Sequence, residues 1–168
     1  MTSTMSFTSD DILEIIQAVW AAFLPDSDGV APAAPQEGAA CAISANVTIS
    51  GSWNGVVSLG FSGGAAALAA STMFGIALDD VGRPDIVDAV GELVNIIGGN
   101  IKGALEGSCD LSLPLVVEGR TLNSLSSKAI AILEVPLEWM GEGLEFSLID
   151  LGGHHLGTGL AQAMQAGT

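Results

Sequence analysis

The chain has 168 residues, of which 49% are apolar and 14% are charged, and four basic residues against 19 acidic ones give a net charge of −15. This composition excludes a disordered chain, and the length suits one domain with a sizeable core. Nucleic acid and anionic membrane surfaces are poor partners for such a chain, because the negative charge repels phosphate groups.

No segment of the sequence has the pattern of a membrane span or a secretory signal. The most membrane-like stretch, "GGAAALAASTMFGIAL", is shorter than the roughly 20 apolar residues that a span needs. The first residues, "MTSTMSFTSDD", have no basic residue ahead of an apolar stretch, as a secretory signal would. We therefore expect a cytoplasmic protein in which Cys41 and Cys109 are unlinked.

The first half of the chain predicts two helices and a hairpin. Apolar residues at helical spacing predict a helix over 9–24, with Ser9 or Asp10 as its N-cap. The segment "PDSDGVAPAAPQEG" follows, and its prolines together with Gly, Ser and Asp predict a loop. Residues 39–61 read as a β-hairpin, and residues 63–78 suit a helix of small side chains.

The second half predicts one long helix and three strands. The helix is expected over 84–105, because Pro84 suits a first turn and Gly107 can end a helix. The three strands are "LSLPLVVEG", "KAIAILEVPLEW" and "GLEFSLIDL". This order of elements predicts the α+β class: a single two-layer domain whose antiparallel sheet is covered on one face by long helices.

The core of this domain is expected to span residues 9–151, followed by a weakly ordered tail, 152–168. His154 and His155 lie in that tail, and an adjacent pair does not suit a shared metal ion, so no metal site is predicted. The three tryptophans, Trp20, Trp53 and Trp139, are expected to pack in the core.

The long helix has an apolar face and an opposite polar face. At about 100° per residue, one direction collects five apolar residues: Ile86, Val90, Leu93, Ile97 and Ile101. The opposite direction collects Asp88, Glu92, Asn95 and Gly99. Glu92 and Asn95 are thus predicted to project together from the outward face, where a polar stripe without any function is the alternative.

Glycines flank this polar stripe at Gly91, Gly98, Gly99 and Gly103, although each costs a helix about 1 kcal/mol relative to alanine. Their presence indicates that something approaches the helix closely. Either a packed neighbouring element or a docked protein would explain them.

The first helix repeats the pattern. Shifting "DDILEIIQAV" by 78 positions lays it over "DAVGELVNII", so that Glu14 meets Glu92 and Gln17 meets Asn95. An internal repeat is one interpretation of this match.

These residues resemble the CheC/CheX/FliY family of chemotaxis phosphatases. The family motif is Asp or Ser, then Glu four positions on, then Asn three further, and then a proline; Asp88, Glu92, Asn95 and Pro114 match it, with Pro114 closer to the asparagine than is usual. CheC-type members carry the motif twice. Here Gln17 replaces the first asparagine, so Glu14 and Gln17 would form a degenerate second site and the chain is most similar to CheX.

The resemblance implies a substrate, the aspartyl phosphate of a CheY-like response regulator, and a homodimer. Glu92 would pair with a lysine of the receiver domain, and Asn95 would hold the attacking water. Asp88, Gly99 and Pro114 would line the docking surface. The chain would bind no cofactor itself, because the divalent cation, Mg²⁺, would sit in the receiver.

Two non-catalytic functions stay open at this point. The same fold could bind a receiver without turnover, or it could serve as an oligomerisation module whose interface is the glycine-flanked stripe. Loss of phosphate from a bound response regulator would separate the enzyme from both alternatives.

Overall fold

The computed structural model describes residues 7–25, 27–35, 41–120 and 127–152. It contains three α-helices in these ranges: α1 at Ser9–Phe23, α2 at Gly63–Phe74 and α3 at Arg83–Ala104. A short 3-10 helix, Leu78–Asp80, precedes α3. The strands are β1 at Ala31–Pro32, β2 at Ile43–Gly51, β3 at Gly55–Phe61, β4 at Cys109–Leu111, β5 at Leu115–Glu118, β6 at Ala131–Trp139 and β7 at Glu142–Asp150.

The seven strands form one antiparallel sheet in the order β1-β6-β7-β3-β2-β4, and β5 also pairs with β2. The three helices pack on the sheet, with α1 against β6 and α3 mainly against β2. The predicted α+β class and helix-covered antiparallel sheet are confirmed. No helix within the described ranges is long and apolar enough to cross a membrane.

The core lies between the helices and the sheet, and its largest buried side chains include Trp20, Trp139, Phe61 and Phe146. Trp20 and Trp139 meet edge to face with ring centroids 5.8 Å apart, which is a favourable aromatic geometry. Trp53 is also buried. The predicted packing role of all three tryptophans is confirmed, and both cysteines are free, as expected.

Four local predictions need correction. The N-cap of α1 is Thr8, and not Ser9 or Asp10, because the Thr8 hydroxyl accepts a bond from the Asp11 amide while the Asp11 carboxylate accepts one from the Thr8 amide. Helix α2 stops at Phe74, since Gly75 takes a left-handed conformation with φ 64°.

The predicted loop after α1 contains β1, which pairs with β6. The single strand predicted over 111–119 is two strands, β4 and β5, interrupted near Pro114, which lacks the amide hydrogen that a ladder needs. Both segments pair with β2. The predicted tail, with His154 and His155, lies outside the described residues apart from Gly152.

Candidate functional site

Helix α3 holds the predicted site, and its start and end are well defined. Pro84 lies in the first turn, and the Gly82 amide donates to the Asp85 carboxylate at 2.8 Å, which satisfies one of the unpaired amides of the helix start. The observed bounds differ by one residue at each end from the predicted 84–105. The helix therefore presents 22 residues in one continuous piece.

The predicted division of α3 into two faces is confirmed for most positions. Val90, Leu93, Ile97 and Ile101 are fully buried, and Ile86 is only partly so. Asp88, Glu92 and Gly99 are exposed. Asn95 is partly exposed, whereas an exposed side chain was predicted, because it projects toward the side of α3 that β4 and β5 contact.

The glycines of α3 divide into two pairs with different surroundings. A Cβ at Gly98 would fall 2.5 Å from Val47 Cγ2 on β2, and one at Gly91 would lie 3.6 Å from Pro114 Cβ. Gly98 therefore lets the helix sit close to the sheet, whereas a Cβ at Gly91 would make only an ordinary van der Waals contact. At Gly99 and Gly103 a Cβ would meet nothing within 4 Å, so those positions leave open space on the outward face.

Pro114 and Leu111 mark the segment that runs beside Asn95. Leu111 Cδ1 would lie 3.3 Å from a Cβ at Gly98, and Pro114 lies against Gly91. By helical geometry Asn95 projects only about 40° from Gly91 and about 60° from Gly98. The connection between β4 and β5 therefore passes along the flank of α3 on which Asn95 lies, with Pro114 against Gly91.

The polar groups of the motif are free of local partners. Within the described residues, the Asn95 amide makes no hydrogen bond and the Glu92 carboxylate makes no ion pair or hydrogen bond. Asn100, five positions further on, differs, because its amide donates to the Ile96 carbonyl at 2.9 Å. Glu92 and Asn95 thus keep their full hydrogen-bonding capacity for a ligand.

The first copy of the pattern is placed differently. Gln17 on α1 is exposed, but its amide donates to the Val30 carbonyl at 3.3 Å and so fixes the loop that leads to β1. Glu14 is exposed one turn earlier. Gln17 lines a cavity with residues of α1 and the loop that follows it, and no residue of α3 lines that cavity.

No residue of α3 lines either of two cavities found among the described residues. One of them, of about 590 Å³, includes Cys41, Arg120 and Glu145, and burial raises the pKa of the Cys41 thiol. The other lies beside Gln17 and Trp20. Since the motif projects from an open helix surface, its geometry suits a macromolecular ligand better than a small molecule.

No metal centre accompanies the motif in the part of the chain that the structure covers. Among residues 7–25, 27–35, 41–120 and 127–152, no group of three or more His, Cys, Asp or Glu side chains could hold a metal ion. His154 and His155 fall outside these ranges.

The antiparallel sheet covered by helices is the fold of CheX and CheC-like proteins of known structure. The family model for "Chemotaxis phosphatase CheX" matches residues 43–138, which contain the whole α3 motif and Pro114. The chain therefore belongs to the CheX family of chemotaxis phosphatases.

Solved structures share the fold at low sequence identity. CheX from Vibrio vulnificus is 19% identical with a TM-score of 0.68, and the match covers 88% of this chain and 99% of that one. CheX from Desulfovibrio desulfuricans is 21% identical with a TM-score of 0.64, covering 84% and 97%. A comparison with curated protein sequences finds no significant match.

One structural neighbour was solved as a complex. The CheX chain of the CheX-CheY-BeF3-Mg²⁺ complex from Borrelia burgdorferi is 21% identical, with a TM-score of 0.64, and the match covers 83% of this chain and 94% of that one. That complex places a member of the same fold together with CheY, beryllofluoride and magnesium.

Proposed function

We propose that this chain hydrolyses the aspartyl phosphate of a CheY-like response regulator. The observation that carries the proposal is the pair of unpartnered polar groups, Glu92 and Asn95, on the outward face of α3. Membership of the CheX family supports the reaction class, and the Borrelia complex supports the type of partner.

Asn95 is the residue that acts on the phosphoryl group. A side-chain amide offers two donor hydrogens and an acceptor oxygen, so it can bind a phosphoryl oxygen and orient a water molecule at the same time. A glutamine positions the attacking water in GTPases by the same principle. Asn95 is no nucleophile; its contribution is to place water in line with the phosphorus–oxygen bond that breaks.

Glu92 fixes the docking geometry. Its exposed carboxylate lies one turn from Asn95 and has no cation as a partner within the described residues. An ion pair with a lysine of the receiver would both attract the receiver and set the rotation of α3 over the phosphoaspartate. Asp88 and Gly99 extend this surface by one turn in either direction.

The divalent cation belongs to the receiver in this mechanism. Mg²⁺ there would neutralise charge on the phosphoryl oxygens, and this chain would add the asparagine and exclude bulk solvent. The proposed assembly is a homodimer. Each chain would carry one such site, because the glutamine in the first copy of the motif, Gln17, is bonded to the Val30 carbonyl.

The proposal is tested with a panel of phosphorylated receiver domains from the protein's own source. The release of phosphate is followed with Mg²⁺ present, with and without this protein, and complex formation is measured in parallel. We expect accelerated release from at least one receiver. Binding without acceleration would instead identify a receiver-binding module. If this protein neither bound a receiver nor accelerated phosphate release, oligomerisation would remain as its function.

A further inference from the structure

Leu113 stands out as an apolar side chain left in solvent. Its exposed fraction is 88%, the highest among the large apolar side chains that the structure describes. Next in order is Ile130 at 64%. Isolated exposed leucines are common in proteins, so a function for Leu113 has to be argued from its position and from the rigidity of its backbone.

The segment around Leu113 is held on both sides. Before it, the Ser112 amide donates to the Thr48 carbonyl at 2.9 Å, and the Thr48 amide donates to Ser112 Oγ at 2.8 Å. After it, the buried Asn46 amide donates to the Leu115 carbonyl at 3.2 Å. Leu113 is therefore presented on a fixed backbone, and a partner would not need to order it on binding.

The same segment borders the α3 motif. Pro114, the next residue, lies against Gly91, and Leu111 lies against Gly98, so Leu113 is carried between the two points at which the β4–β5 connection contacts α3. Asn95 sits between Gly91 and Gly98 along the helix. Leu113 thus flanks the surface that a receiver must cover in order to bring its phosphoaspartate to Asn95.

We infer that Leu113 is an apolar docking residue for the receiver domain, which supplies affinity while Glu92 and Asn95 supply orientation and chemistry. This inference rests on the proposed function. The receiver surface that binds here would then have an apolar patch next to the lysine that pairs with Glu92, and this patch would lie at the edge of the contact with α3.

Charge complementarity selects a receiver over a second copy of this chain as the occupant. Exposed carboxylates lie on the elements that border the β4–β5 connection: Asp88 and Glu92 on α3 and Asp110 on β4, whereas Glu118 on β5 is paired with Arg83. Two such surfaces would repel each other in a symmetric pair, whereas a partner that carries a lysine would be attracted.

The test separates affinity from turnover with the receiver that the wild type dephosphorylates fastest. Leu113→Ala should raise KM about tenfold and leave kcat within about twofold, since burying a leucine side chain contributes mainly to binding. The same variant should weaken binding of the beryllofluoride-loaded receiver by a similar factor. Ile130→Ala truncates another exposed aliphatic side chain, just before β6, and should change neither KM nor the binding constant.

The possible failures are distinguishable. If Asn95→Ala is inactive while Leu113→Ala keeps the KM and binding constant of the wild type, the docking role is wrong and the proposed function stands. If Leu113→Ala and Ile130→Ala weaken binding equally, the effect is not specific to this surface and the inference is also wrong. A wild type that acts on no receiver overturns both proposals. Circular dichroism of each variant checks the fold.

Discussion

Two acid-x-x-amide pairs with the same spacing occupy this chain in different surroundings. On α3, Glu92 and Asn95 project from a surface where Gly99 leaves open space and where the Asn95 amide has no partner among the described residues. On α1, the Gln17 amide is already bonded to the Val30 carbonyl. One amide is available to a ligand and the other stabilises a loop.

The comparison shows that a motif's spacing defines geometry but not function. Residues three positions apart share a helix face in both places. What differs is the neighbouring chain: β4 and β5 pass beside Asn95 without bonding its amide, whereas the loop before β1 comes back onto α1 and uses the amide of Gln17. Substitutions in and around the two pairs test how far this difference extends.

The largest effect is expected from Asn95→Ala. Removal of a group that positions water should lower kcat by about 10² or more, equivalent to about 2.7 kcal/mol, with little change in binding of the beryllofluoride-loaded receiver. Phosphate release from the phosphorylated receiver measures the loss. Asn100→Ala is the matched control, since that amide bonds to its own helix and its removal should leave kcat near that of the wild type. Equal activity of wild type and Asn95→Ala would refute the mechanism.

Gly98→Ala should have the next largest effect, and on stability. The new methyl group would fall 2.5 Å from Val47 Cγ2, and valine is stiff and buried there, so we expect a loss of about 1–3 kcal/mol in the free energy of unfolding. Urea denaturation measures it.

Gly99→Ala is the variant to compare with Gly98→Ala, because its methyl group would meet open space. It should stabilise the helix by about 0.5–1 kcal/mol, through the higher helix propensity of alanine. Equal stability of the two variants would contradict the assignment of Gly98 to the sheet side and Gly99 to the open side.

Glu92→Ala should weaken docking by about tenfold, or about 1.4 kcal/mol, because an ion pair to the receiver would be lost. The binding constant of the beryllofluoride-loaded receiver measures this. The difference from the wild type should shrink at high salt, since salt screens an interaction at an open surface. Glu138→Ala removes an exposed carboxylate on β6 and should have no such effect; a similar loss in both variants would indicate only a general charge effect.

The sequence predicts the outward face of α3 because helical periodicity is local: Val90, Leu93 and Ile97 share one direction, and the structure buries all three. It does not predict β1, whose two residues are strand only through pairing with β6, about a hundred positions later. Nor does it separate Gly98 from Gly99 by role, since that depends on where β2 lies. The cap at Thr8 was available in the sequence as a Thr-x-x-Asp pattern, which matches the capping box in form.

The surroundings of Asn95 are likewise a matter of long-range contact. Periodicity places it beside Glu92, but its partial burial comes from its position toward the β4–β5 connection. A strand predicted as continuous over 111–119 contains no such connection, so neither the neighbourhood of Asn95 nor the exposed Leu113 could be derived before the sheet was known.

The smallest effect is expected from Gln17→Ala, and it decides how many sites each chain has. The amide of Gln17 holds the Val30 carbonyl, so its loss should cost at most about 1 kcal/mol of stability, the usual net contribution of one such hydrogen bond. The rate of phosphate release should stay within about twofold of the wild type, because a group already bonded to its own loop is not free to orient water. Thermal unfolding and phosphate release at matched protein concentration measure the two quantities. A rate loss comparable to that of Asn95→Ala would mean that Gln17 leaves the Val30 carbonyl when a receiver binds. Each chain would then carry two working sites, as in the CheC-type members with two motifs.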